Sequence, residues 1–283
     1  MALVSTKVRH AVQSGRFYPS SPEALAESVR LHLGNARVGT VARPKAVIAP
    51  HAGFSYSGPV AGSAFGVWAA ESEVIRRVVL MGPSHWVDFR GIALPEALAL
   101  ATPLGEVALD AAGVSAALEV PGVVVYDAAH TPEHALEVEL PFLQMVLKGF
   151  TVVPLVVGRE TDVRVRAVIE ALWGGPETRF VLSSDLSHYL DYDSAKRFDQ
   201  GTADSILRLA AAELTPRRAC GYRPIRGFLE AAAARGMRGE AVDLRNSGDV
   251  VGRREEVVGY GAFHFGEGRS FAEASVPAPV GAG

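Results

Sequence analysis

Short apolar runs alternate along the chain with longer stretches of helical periodicity, and this alternation predicts an α/β fold with a mainly parallel central sheet flanked by helices. Ala46–Ala49 reads as a fully buried strand that stops at Pro50, which has no N–H for a ladder. Val78–Met81, Ile92–Leu94, Val123–Tyr126 (a further buried strand), Thr151–Val157, Phe180–Leu182, Ala241–Leu244 and Val257–Phe265 read as the other strands. Helices are expected from Pro22, with Leu25, Val29 and Leu33 as the inward stripe, and from Gly58-Pro59, with Pro in the first turn. Others are expected over Asp110–Leu118, from a Thr131 cap with a kink at Pro141, over Thr161–Leu172 and Asp193–Ala212, and over Ile225–Ala234. Residues 9–18 read as an extended arm and Thr102-Pro-Leu-Gly105 as a loop. From Gly266 on, Ala, Gly, Pro and Ser dominate, so the expected organisation is one domain over 1–266 and a loosely held tail over 267–283.

The strand ends carry the candidate chemistry. His51 follows the first buried strand at once, His85 follows Gly82-Pro-Ser, and Asp185 and His188 follow Phe180-Val-Leu-Ser-Ser. In open α/β sheets ligands bind at the carboxyl ends of strands, so these groups would share one rim. A lone histidine beside an apolar run is commonly a satisfied structural residue; three in one context favour a site. His134 and Glu137 are three apart and share a face, as metal ligands or as a solvated pair. Cys220 precedes a helix N-terminus, a place that favours the thiolate and metal binding; the alternative is a buried, inert thiol.

Composition narrows the class. The chain has 283 residues, 48% hydrophobic and 21% charged, with a formal charge of −3. These values fit a soluble globular protein and give no basis for a nucleic-acid or anionic-membrane surface. One cysteine excludes an internal disulfide and a Cys-rich zinc module. No apolar run reaches the roughly 18 residues of a membrane span, and a short polar start argues against a signal peptide, so a cytoplasmic location is expected by default.

Taken together, Pro50-His-Ala-Gly-Phe-Ser-Tyr-Ser-Gly58, Gly82-Pro-Ser-His85, Glu133-His-Ala-Leu-Glu-Val-Glu-Leu-Pro141, Ser183-Ser-Asp-Leu-Ser-His188 and Cys220-Gly-Tyr-Arg-Pro-Ile225 resemble the Memo family. The Gly15-Arg-Phe-Tyr-Pro19 arm and Gly259-Tyr-Gly261 fit the same order, so the resemblance spans about residues 9–265. Microbial members are often called AmmeMemoRadiSam system protein B, which implies association with an AMMECR-type protein and a radical-SAM enzyme. The resemblance implies a fold similar to class III extradiol dioxygenases, with His51, His85 and Cys220 as metal ligands and Asp185 and His188 lining the same pocket. A thiolate in place of the dioxygenase carboxylate widens the metal from Fe(II) to copper or zinc. The leading expectation is a metal-dependent redox enzyme acting on a small molecule or peptide. His188 would be its acid/base and Asp185 an orienting group, with Tyr56, Tyr189, His134 and Glu137 at the pocket wall. A zinc hydrolase and a non-catalytic protein that binds a peptide or partner are the alternatives.

Overall fold

A computed structural model describes residues 7–267. Its strands are β1 (Val8–Arg9), β2 (Ala46–Ala49), β3 (Arg77–Pro83), β4 (Ile92–Leu94), β5 (Ala99–Thr102), β6 (Gly105–Ala108), β7 (Val123–Val125), β8 (Thr151–Val157), β9 (Thr178–Ser183), β10 (His188–Leu190), β11 (Met237–Asn246) and β12 (Val257–Glu267). The helices are α1 (Pro22–Gly34), α2 (Phe54–Phe65), α3 (Ala111–Leu118), α4 (Asp127–His130), α5 (Leu140–Val146), α6 (Asp162–Ala171), α7 (Tyr192–Leu207), α8 (Tyr222–Ala234) and α9 (Ser247–Val251).

Nine strands form the main sheet in the order β10-β12-β2-β9-β3-β8-β4-β7, with β11 paired to β12. The four central strands, β2, β9, β3 and β8, are parallel, as the continuous apolar runs predict. The flanks are not. β12 pairs antiparallel with β2, β10 and β11, and β4 pairs antiparallel with β8. The sheet is therefore mixed rather than mainly parallel. Hairpin-type returns at the edges need no helical crossover, and alternation of elements along the chain does not report them.

Strand residues alternate between two cores, one on each face of this sheet. Val47 and Ala49 pack with Val78, Leu80, Phe54 and Phe142 beneath α1, α2 and α5. Ala46 and Ile48 pack with Val79, Met81, Val168 and Phe228 beneath α6 and α8. The period of two sends successive side chains to opposite faces, and helices cover both.

Several expected boundaries move. α2 begins at Phe54, after Gly53, so Pro59 lies inside the helix rather than in its first turn. The carbonyl it leaves without a helical donor belongs to Ser55, which is exposed to water. Thr131 ends α4 instead of opening a helix: its N–H and Oγ1 both donate to the Asp127 carbonyl at 3.0 Å. Pro141 then lies in the first turn of α5, where it causes no kink. β7 pairs only with β4 and is an edge strand, which leaves Val124 and Val125 exposed. The helix expected over 193–212 stops at Leu207, and Leu209 turns the chain with φ 57°. α8 starts at Tyr222, three residues early, with Pro224 inside its first turn. Thr102-Pro-Leu-Gly105 is the turn of a β5–β6 hairpin, and β1 joins it in a second, three-stranded sheet. Of the expected tail over 267–283, only Glu267 lies within the described residues. No helix among them is long and apolar enough to cross a membrane.

Candidate metal centre

Three neighbouring parallel strands, β2, β9 and β3, end at one rim. His51 leaves β2, His85 lies two residues beyond β3, and Ser183 closes β9 ahead of Asp185. Cys220 is brought to the same rim from the start of α8, and its N–H donates to the Asp185 carbonyl at 3.2 Å. A Cβ on Gly221 would sit 2.5 Å from the Ser183 carbonyl oxygen, so only glycine lets this segment lie against the end of β9. His134 arrives from the loop between α4 and α5.

The imidazoles of His51, His85 and His134 each place a ring nitrogen within 4.8 Å of the other two. Cys220 Sγ lies 3.3 Å from His51 Nε2 and accepts the Asp185 N–H at 3.2 Å. The outward nitrogens are held from behind. His51 Nδ1 meets Ser183 Oγ at 2.7 Å, and Ser183 Oγ meets Glu139 Oε1 at 2.7 Å. His85 Nδ1 meets Glu133 Oε1 at 2.8 Å, and its backbone N–H donates to Glu133 Oε2 at 2.6 Å. With Nδ1 engaged on both rings, the Nε2 atoms are left to face inward, the arrangement that metal-binding histidines use. His134 Nδ1 is buried with no hydrogen-bond partner. Three imidazoles and a thiol form a borderline-to-soft donor set that suits iron, copper or zinc. These residues fit a metal ion.

The charges follow from burial. Desolvation holds His51 far below the ordinary histidine range and pushes His134 down to about 4, so both rings are neutral ligands near neutral pH. Burial opposes charge on His85 too, but hydrogen bonds to Cys220 and Glu133 outweigh it and raise the imidazole to about 10. Asp185 is buried and pushed up to about 7 by desolvation; its Oδ1 accepts the His51 N–H at 2.9 Å. Burial lowers His188, whose ring engages the Leu186 carbonyl rather than Asp185. His188 stacks edge-on with Tyr189, a non-glycine residue at φ 58° that is 72% exposed.

A cavity of about 260 Å³ opens beside the histidines, lined by His85, Cys220, Trp86, Arg159 and Arg223 among others. Of the residues expected at the pocket, Tyr56, Tyr189, His134, Glu137, Asp185 and His188 do not line it. Glu137 points away into the protein, where it takes Arg9 Nη1 at 2.8 Å, Gln13 N at 2.8 Å and the Tyr18 hydroxyl, and so anchors the N-terminal arm. Sequence reasoning placed His51, His85 and Cys220 together; the structure sets Cys220 3.3 Å from His51 and groups His51 with His85 and His134, a cluster that does not include Cys220. It placed His134 at the wall, whereas the ring stacks on His85 with centroids 4.6 Å apart. It did not single out Glu133, Ser183 or Glu139 as supports, nor Trp86 and Arg223 as lining. A carboxylate directly before His134 was the one available signal for Glu133.

The family model for Memo-like proteins matches residues 9–264. The chain belongs to the Memo family. A MEMO1 family protein of Aeropyrum pernix is 34% identical, over 90% of this chain and 99% of its own. Its counterpart in Methanopyrus kandleri is 35% identical over 92% of this chain and 99% of its own. The Aquifex aeolicus protein is 32% identical over 90% and 97%. The Memo match therefore takes in His51, His85, His134 and Cys220.

Proposed function

We propose that this Memo protein is a metal-dependent redox protein, oxygenase- or oxidase-like, that uses Fe(II) or copper. The observation that carries the reading is the convergence of His51, His85 and His134, with Cys220 beside His51 and Nδ1 of both His51 and His85 braced from outside. In it His51, His85 and Cys220 hold the metal and His134 stands beside them. The metal, when bound, would supply electron transfer and Lewis acidity. His188 serves as acid/base, its imidazole lowered by burial and lying near enough to His85 to feel its charge. Asp185 fixes the backbone of His51 and so its aim. The substrate, a small molecule or peptide, enters the cavity at Trp86, with Arg223 available to an anionic group. Association with an AMMECR-type protein and a radical-SAM enzyme belongs to the same reading, and co-purification of the three would support it.

Metal content and oxygen consumption, measured after anaerobic loading with Fe(II), Cu(I) or Zn²⁺, test the reading. His51→Ala and Cys220→Ala are expected to lose the metal. His188→Ala is expected to keep it, with turnover down by about 10²- to 10⁴-fold. Because His85 carries a proton in the metal-free protein, binding must displace it, so affinity should strengthen about tenfold per pH unit from pH 6 to pH 8. A wild-type protein that takes up only zinc and leaves oxygen untouched would point to the hydrolase instead. Failure to take up any metal would end both readings.

A further inference from the structure

A second cavity, of about 500 Å³, lies between α7 and the end of β11, and shares no lining residue with the first. Arg37, Lys196, Asp199, Arg245, Asn246 and Asp249 line it. Its volume falls within the roughly 300–1,000 Å³ of small-molecule sites.

The acceptors in its wall are already engaged. Asp199 takes the N–H and Oγ of Ser187, each at 3.0 Å. Asp249 takes the Tyr192 hydroxyl and the Asn246 N–H. Asp243, buried behind Arg245, takes both its Nε and Nη2, at 2.8 and 2.7 Å, with Arg37 Nη1 3.2 Å away. Two donors, on Asn246 and Lys196, are not so engaged. Asn246 is 1% exposed; its Oδ1 caps α9 by accepting from Gly248, and its Nδ2 has no partner. Lys196 makes no ion pair among the described residues and rests 5.2 Å over the Tyr192 ring. A buried N–H donor left without an acceptor carries a desolvation cost that an arriving acceptor removes.

We propose that this cavity binds a small oxyanion, a carboxylate or a phosphate, between Lys196, Asn246 Nδ2 and the two arginines. The ligand supplies the acceptors that the wall lacks, and charge-assisted bonds to lysine and arginine supply the affinity. The site also touches the turn that carries His188. Asp199 holds Ser187, and a Cβ at Gly259 would sit 1.9 Å from Asp199 Oδ2, so the glycine of the Gly259-Tyr-Gly261 stretch gives that carboxylate its seat.

The test titrates the full-length protein with inorganic phosphate and, separately, with succinate, at ionic strength held constant with chloride. The readout is the Asn246 side-chain amide resonance in the wild type and in Lys196→Ala, and the ion-dependent shift of melting temperature in these two and in Asn246→Asp. A saturable shift of that resonance with at least one of the two ions is expected. The ion that produces it identifies the ligand class. Asn246→Asp keeps the capping oxygen and replaces the free donor by a repelling oxygen, and Lys196→Ala removes an exposed charge without touching the core. Binding weakened about tenfold or more in either variant supports the site. If Asn246→Asp does not fold, Lys196→Ala decides. Absence of a saturable shift with both ions, or undiminished binding in the folded variants, overturns the proposal.

Discussion

Glu139 has no exposed surface, and while one carboxyl oxygen meets Ser183 the other, Oε2, has no partner. Ser183 Oγ has three neighbours at 2.7 Å, His51 Nδ1, Glu139 Oε1 and the Ala135 carbonyl, and only one proton. All three contacts are satisfied when that proton goes to the carbonyl and both His51 and Glu139 donate to the serine oxygen. This assignment needs a protonated Glu139, and burial does push its pKa well above the carboxyl range. It also leaves the lone pair of His51 on Nε2, the atom that faces Cys220. A proton bound more tightly in the folded state contributes stability that is complete below the unfolded pKa of about 4.3 and is lost as pH rises toward the folded value. Glu139→Gln keeps a donor for Ser183 and has nothing to ionise. In thermal unfolding of the metal-free protein between about pH 5 and pH 8, the variant should therefore gain on the wild type steadily as pH rises. Parallel curves would mean that Glu139 is ionised and the assignment wrong. None of this was legible in sequence, where Glu139 is one of three acids in Glu133–Glu139 and nothing in the pattern turns one inward. His51, His85 and Cys220 were legible because each stands against a strand end or helix start that hydrophobic pattern reveals.

At the scale of elements, the site depends on how closely α8 approaches β9. Gly221→Ala would put a Cβ 2.5 Å from the Ser183 carbonyl and 2.7 Å from Ser184 Cβ. Neither a backbone oxygen nor the end of a central strand yields without cost. A loss of about 1–3 kcal/mol is expected in denaturant unfolding, together with weaker metal uptake as Cys220 is displaced. Gly34→Ala, at the end of α1 with nothing within 4 Å of the new carbon, is the control and should be close to neutral. An unfolding curve for Gly221→Ala that overlays the control would remove close packing as the reason for glycine there. The central strands and the helices that cover them were readable because both periods are strong where burial is one-sided or complete. What escaped was set by tertiary pairing. The hairpin of β5 and β6 is held by β1 from a distant part of the chain, and β7 is exposed only because nothing pairs with its far side. The Thr131 boundary escaped because a Thr-Pro pair reads equally well as a helix start and as the end of the preceding turn.

Over the whole molecule, the arm and the sheet are fastened at Glu137, whose side chain is 0% exposed beside Arg9 at 11%. Arg9 also donates to the carbonyls of His130 and Glu133 at 2.9 and 2.6 Å, so the arm grips the loop that carries His134. Glu137→Ala leaves a cation and two backbone N–H groups without their acceptor and should cost about 3–5 kcal/mol, with early proteolysis within residues 9–18. An arm as protease-resistant as in the wild type would show that its apolar contacts, not Glu137, hold it. The four clustered side chains, at 51, 85, 134 and 220, have a further consequence during synthesis. Translation proceeds at about 5–20 residues per second, so the first two histidines leave the ribosome on the order of ten seconds before the cysteine. β2 cannot be flanked on both sides until β12, near the end of the chain, arrives to pair with it. An ion captured by the early histidines would thus be held by a chain with neither its sulfur ligand nor its finished sheet. For a metal bound as proposed above, this order of synthesis favours loading after release, through the opening at His85, and would leave the cell's metal supply rather than the ribosome to decide which ion is carried.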